Sequence, residues 1–390
     1  MFFMAITAVM EAFIPYRILM EVGEMKKGVI SGLITVFIVS SMLIAACSTP
    51  APTATAPTSA APTSAAPVQV IEITAQHSNA AAGGAAQVFK AFGDRVEKNS
   101  NGRVKFTYYW SSGLVPSAEI IKAVDSGALK CGYTGGPIAT YFPMSWYPFN
   151  LPFMGIPGME KGNKIWKELW ETTPEMRDEW KGFKMLSCGL MPPVQIHAAK
   201  SQIIVPADTK GHKVCITSPG PMAKLVQAAG GAAVIMLPPD ISVSLNSGVI
   251  DSWFDHFPVA LVFQTIPMLP YHTIVGSNDS EGLSHGVHGI FMKDSYFTSL
   301  PADIQKIITD SAAVYGEEIL KVDRDVEIGR AMAEVKKLNQ TVTYLKPDQI
   351  KLWMDVAAPV HEDWIKEYEG KGKPARMIYN KVKDLIKKYQ

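Results

Sequence analysis

PADTKGHKVCITSPGPMAKLVQAAGGAAVIMLPPDISVSLNSGVIDSWFD, residues Pro206 to Asp255, alternates short apolar runs with turn-rich breaks. Lys213–Thr217 reads as a strand, Met222–Ala229 as a helix and Ala232–Leu237 as a second strand. Ile241–Asn246 reads as a second helix and Val249–Phe254 as a third strand. This β-α-β-α-β order with short crossovers implies a compact parallel sheet. Ligands of such sheets gather at the carboxyl ends of the strands, where the strand order switches. Cys215–Ser218 and Trp253–Asp255 are two of those ends, so the stretch reads as half of a ligand cleft.

The preceding segment repeats the pattern. Val68–Ala75 alternates as a strand, a helix runs from about Ala85 to Lys98, and Asn101-Gly102 turns the chain into a strand at Arg103–Trp110. Ser117 caps a helix through Val124, and Leu129–Thr134 is a third strand. Two such units in one chain imply two α/β lobes facing each other. Tyr141–Pro157, rich in Pro and in aromatics such as Trp146, Tyr147, Phe149 and Phe153, reads as a packed irregular crossover, with direct ligand contact as the alternative. Helices follow near Lys161–Glu171 and Pro174–Trp180, then strands at Phe183–Met191, Gln195–Ala199, Thr273–Val275 and Val287–Met292. Ile304, Ile307, Ile308, Ala312, Tyr315, Ile319, Val322 and Val326 mark one face of a helix that starts near Pro301 and runs for roughly 35 residues at ~1.5 Å each, enough to cross both lobes. Helices at about Pro347–Tyr368 and Ala375–Lys388 finish the chain.

The chain has 390 residues and a formal net charge of +1, so nothing electrostatic favours nucleic acid or an anionic membrane surface. Met25-Lys26-Lys27, an apolar run from Gly28 and the small residues before Cys47 describe a secretory signal, residues 25–46. Ile44-Ala45-Ala46-Cys47 looks like a bacterial lipobox with Cys47 as the lipidated residue; a retained membrane anchor is the alternative. Either places the body outside the cytoplasm, periplasmic or held to the membrane. Residues 1–24, with Glu11, Glu21 and Glu24 ahead of the basic start, read as an over-called start. Residues 47–67, built from Ala, Pro, Thr and Ser, read as a tether. Lobe I is expected at 68–194, lobe II at 195–277, and return strands with the spanning helices at 278–390. Of four Cys, Cys131 and Cys188 sit in strand-like runs as small buried residues; no C-x-x-C spacing suggests zinc or redox chemistry.

Several segments, in order, resemble the DctP-type solute receptors of TRAP transporters: Asn101-Gly-Arg-Val104, Leu151-Pro-Phe153, Asp208-Thr-Lys-Gly-His-Lys-Val214, Leu245-Asn-Ser-Gly-Val-Ile-Asp251 and Leu300-Pro-Ala-Asp-Ile-Gln305. The resemblance runs from about Ile71 to Ala313. It implies a two-lobed, periplasmic-binding-protein-like α/β fold with a long helix spanning both lobes. It implies a receptor without catalysis or cofactor that closes on a small organic solute and delivers it to membrane permease subunits.

The family's hallmark is an Arg after Lys-Ile that clamps a ligand carboxylate with two parallel hydrogen bonds. Carried onto this sequence residue by residue, that position is Cys215, and a second Arg position is Gln195. A ligand-side Asn falls on Asp255, a stacking aromatic on Pro238, a Glu on Gly135 and an Asn on Gln76. Two cations are lost and an anion replaces an amide, so a simple C4-dicarboxylate is not expected; an unpartnered carboxylate in a cleft costs several kcal/mol. A neutral polar, aromatic or cationic ligand is expected instead, with Gln76, Gln195 and Asp255 as polar contacts and Trp110, Tyr133 and Trp253 as a stacking wall.

Gly282-Leu-Ser284-His-Gly286 matches G-x-S-x-G but lacks the strand-to-helix setting a nucleophile elbow needs. His285 and His288 are three apart, which on a strand points them to opposite faces and argues against a shared metal. A same-fold receptor feeding a sensory partner and a secreted lipoprotein enzyme remain as other functional classes.

Overall fold

One strand, Phe183–Ala198, runs through both halves of the molecule, and the other nine assemble around it. In chain order the strands are β1 Ile71–Gln76, β2 Val104–Tyr109, β3 Cys131–Thr134, β4 Phe183–Ala198 and β5 Lys213–Ile216. Then come β6 Ala232–Ile235, β7 Ser252–His256, β8 Tyr271–Ile274, β9 Ser284–Lys293 and β10 Thr341–Tyr344. The computed structural model describes residues 70–390 apart from Ser218 and Leu237. The over-called start, the signal, Cys47, the tether and Val68 lie outside the described residues.

The sheet order is β2-β1-β3-β9-β4-β7-β5-β6, with β8 on β4 and β10 on β8. Within each half the expected parallel pairing holds: β1 with β2 and β3, and β5 with β6 and β7. The sheet as a whole is mixed, because β9 runs antiparallel to β3 and β4, and β4 antiparallel to β7 and β8. The two strands read at Phe183–Met191 and Gln195–Ala199 are one. Pro192 and Pro193 look like a break because they lack an N–H, yet they sit where the β4–β9 register slips between Leu190 and Pro193. Tyr141–Pro157 is also more ordered than its composition suggests, forming helices at Ile138–Tyr141 and Pro143–Asn150. Pro143 opens the second of these, where its fixed φ suits a helix start.

Each half is covered on both faces, so its central strands are buried on both sides, while the edge strands β2, β6 and β10 stay partly exposed. In the first half, one face packs Phe89, Phe92, Tyr315 and Ile304; the other packs Trp146, Phe149, Trp166 and Trp364. In the second half, one face holds Trp353, Phe254 and Leu225; the other holds Trp253, Ile241 and Phe257.

Two helical segments enter both halves. The expected long helix begins at Ala302 and runs to Lys321, passes through a wide π turn at Val322–Glu327, and continues as Ile328–Lys337. Ile304, Ile308, Ala312, Tyr315 and Ile319 belong to the first half's core, whereas Ala331 and Val335 belong to the second's. The helix Pro347–Gly370 crosses on the other faces, with Trp353 and Ala357 in the second half and Trp364 and Ile365 in the first. Between those pairs lies Pro359, inside the helix, where it removes one backbone hydrogen bond. At roughly 1.5–3 kcal/mol for each large apolar side chain fully buried, both ends of both segments are firmly held and only their middles are weak.

The π turn carries an unusual buried acid. Asp323 is 8% exposed and its carboxylate lies 4.0 Å from His288 Nε2. Burial first, and the neighbouring Glu327 second, push its carboxyl from an ordinary 3.8 up to about 8. A folded-state pKa above the unfolded one means the folded protein binds the proton more tightly, so this group's contribution is lost as pH rises across that window. Asp323→Asn, which mimics the protonated form, is expected to gain melting temperature over the unaltered chain by an amount that grows from pH 5 to pH 8.5. A difference constant over that range would refute the assignment.

Candidate functional site

The carboxyl ends of three strands converge on one cavity of about 380 Å³. Gly136 and Pro137, just past β3, line it from the first half; Ile216 and Thr217 at the end of β5 and Phe254, Asp255 and His256 of β7 line it from the second. Met191 and Val194 of β4 with Gly286 of β9 form its floor, and Trp146, Asn150, Ser117, Ala118, Met222 and Val259 complete the wall. Gly286 is required there: a Cβ would lie 2.7 Å from Met191 Sδ and 3.0 Å from the Trp146 ring. The volume falls at the small end of organic-ligand sites, and the lining is mostly apolar with a few polar groups.

Asp255 is the one acid among the lining residues, and no Lys or Arg is present there. It is 4% exposed and accepts a hydrogen bond of 2.7 Å from the His256 backbone N–H. Burial raises its pKa, and the adjacent His256 ring, with Nε2 3.5 Å from Oδ1, opposes that shift. His256 Nδ1 and Trp146 Nε1 are buried and have no partner among the described residues. Behind Asp255, the His197 ring contacts its carbonyl at 3.2 Å and His272 Nδ1 at 2.8 Å, and His272 reaches Gln340 at 2.9 Å.

Gln76, Trp110, Tyr133, Gly135, Gln195, Cys215 and Trp253, also singled out in the sequence, are not among the lining residues. Gln76 is fully buried; its amide holds Val115 O at 2.7 Å and the N–H groups of Leu114 and Val115 at 3.1 and 3.0 Å. Gln195 spans two loops in the same way, donating to Glu281 O at 2.6 Å and accepting from Val275 N–H at 2.9 Å. Cys215 and Trp253 are adjacent on paired strands, fully buried among Ile241, Ile250 and Phe257. Burial, with help from Asp255, pushes the Cys215 thiol up to about 12, which leaves it un-ionised. Tyr133 stacks on His77 with centroids 3.7 Å apart, and Trp110 stacks on Tyr108 at 5.0 Å. Gly135 is buried just behind the lining residue Gly136, and Pro238 heads the helix Pro238–Asn246. Sequence reasoning passed over His256, Met191 and Gly286 as site residues; Thr217 lies inside the strand end Cys215–Ser218 that it marked, and Trp146 is one of the crossover aromatics it weighed for ligand contact. A signal existed for His256, which directly follows the marked end Trp253–Asp255.

The G-x-S-x-G serine, Ser284, opens β9 and is buried, so it sits on a strand and not at an elbow. His285 Nδ1 faces Met191 O at 3.1 Å while His288 faces Asp323. Among the described residues no group of three metal-binding side chains occurs.

The sequence profile of the family described as bacterial extracellular solute-binding protein, family 7 (DctP), matches residues 75–367. The chain belongs to this family. A C4-dicarboxylate-binding periplasmic protein DctP of Shewanella loihica is 28% identical over 170 residues, 42% of this chain and 47% of that protein, so the match spans about half of the relative's length. A marine-metagenome TRAP solute-binding protein, specific for aromatic acids and solved with 3-hydroxybenzoate, superposes with TM-score 0.74 at 22% identity, covering 83% of this chain and 99% of that one. A TRAP solute-binding protein of Rhodoferax ferrireducens, solved with benzoate, gives 0.72 at 22% identity over 82% and 98%. One from Chromohalobacter salexigens with bound D-glucuronate gives 0.70 at 16% identity over 80% and 99%. These structures share the two-lobed fold.

No arginine is among the described residues that line the cavity. Every arginine among the described residues is engaged elsewhere: Arg95 with Glu318, Arg103 with Asp303, Arg324 with Asp325, Arg330 with Glu327 and Arg376 with Glu362. Arg177 bonds the carbonyls of Trp170 and Glu171. Gln195 is scaffold, its amide bridging the backbone at Glu281 and Val275. Gln195→Ala strands a partly buried carbonyl and a buried N–H, and is expected to cost about 1–3 kcal/mol by chemical denaturation. A loss under 0.5 kcal/mol would show that the amide is not bridging those loops.

Proposed function

We propose that this chain is the extracytoplasmic receptor of a TRAP-type transporter, binding a small organic solute without turning it over and passing it to membrane permease subunits. The observation that carries this reading is the cavity between the two halves, lined by strand ends from both, in a fold shared with TRAP solute-binding proteins over nearly their whole length. We take lobe I as residues 68–194 and lobe II as 195–277, with 278–390 crossing both, and Cys47 as the lipid attachment that holds the receptor to the membrane. Solute contacts to both lobes favour a closed form, and the chain yields at the π turn, at Pro359 and at the Pro192-Pro193 bulge.

The solutes named for related proteins are carboxylates. This cleft has no Arg or Lys to receive one, and a ligand carboxylate would meet Asp255. We therefore place simple dicarboxylates outside its range.

A bound solute stabilises a receptor by about 1.4 kcal/mol at ten times its Kd, so a melting-temperature screen of the purified chain finds candidates. With such a solute, small-angle scattering is expected to show a smaller radius of gyration. Unchanged dimensions at saturation would refute closure, and a strong melting shift with succinate or malate would refute the exclusion of dicarboxylates.

A further inference from the structure

We infer that the solute is a small organic cation, a primary ammonium on an apolar body, held by Asp255 and His256 at the end of β7. This rests on the receptor reading above. The argument is one of charge and hydrogen-bonding capacity. If His256 is protonated it neutralises Asp255, 3.5 Å away, and the cleft carries no net charge. If His256 is neutral, the cleft carries the single negative charge of Asp255. With Asp255 ionised, neither state presents the net positive charge that a carboxylate requires, since no Lys or Arg is among the described lining residues.

The neutral state also defines the ligand's hydrogen bonds. With the His256 Nε2 proton directed to Asp255, Nδ1 is left as an acceptor, buried and unpartnered, on a residue 8% exposed. Asp255, the one carboxylate among the described lining residues, suits a ligand rich in donors, and an ammonium supplies three N–H groups from one atom. Burial of Asp255 without a cation disfavours its ionised form, and an arriving ammonium removes that penalty at the moment of binding. The rest of the cleft suits an apolar body: Met191, Met222, Phe254, Val194 and Val259 are aliphatic, thioether or aromatic, and the Trp146 ring offers a face to a cation or an arene.

The test compares probes of one skeleton and three charges: 2-phenylethylamine, 2-phenylethanol and 3-phenylpropanoate, with the butyl series alongside. Melting temperature and calorimetry on the purified chain are expected to rank the amine first, at least tenfold tighter than its alcohol, with no binding of the acid. Asp255→Asn is expected to weaken the amine at least tenfold and the alcohol by less, so that the amine loses its lead over the alcohol. The ranking in the unaltered chain decides the matter even if that variant folds poorly. Silence of every amine, or an Asp255→Asn chain that binds amines as before, overturns the assignment. If alcohols or acids bind while amines do not, the receptor reading survives, and acid binding would point to the chain at Ser117 and Gly136. Silence of all three classes counts against both.

Discussion

The β4–β9 antiparallel pair is the interaction on which the molecule depends. β9 binds β3 and so belongs to the first half, while β4 continues past it to bind β7 and β8 in the second. Without that shared ladder, two α/β units would be joined only by helices. With it, the same backbone that ties them together lays Met191, Val194 and Gly286 across the bottom of the cavity. A ligand there touches the joint itself as well as the two walls.

Polar side chains in the surroundings are spent mostly on construction. Gln76 and Gln195 each close a loop onto a strand end, and the His197–His272–Gln340 chain braces the carbonyl of Asp255. All eight histidines of the chain are buried, and burial lowers those at 77, 285 and 288 to between about 3 and 4, so they act as neutral hydrogen-bonding groups. That leaves a short set of groups in contact with the cavity, Asp255 and His256 foremost.

Much of the fold was legible because its signals are local. Apolar alternation and turn residues marked the strands of both β-α-β-α-β units, and one apolar face marked the long helix through Tyr315. What was not legible depended on distant partners. Pro192-Pro193 reads as an end of strand unless a neighbouring strand tolerates a slipped register, and β10 is a short edge segment that only β8 makes a strand. The same holds for the site. Asp255 lies at a strand end, where position alone marked it, and it lines the cavity. Gln76, Gln195, Cys215 and Trp253 occupy equally marked positions, but whether such a side chain faces the cavity or a loop is decided by segments far away in sequence, such as Glu281 or Val115.

The three places where crossing elements are weakened, the π turn, Pro359 and the Pro192-Pro193 bulge, are backbone defects whose softness does not depend on the side chains that line the cavity. Compliance and recognition are therefore written in separate parts of the sequence. The backbone irregularities and the lining residues Asp255 and His256 occupy different positions of the chain, so a change at the cavity wall leaves the crossing elements as they are. On this scaffold, new cargo costs few substitutions.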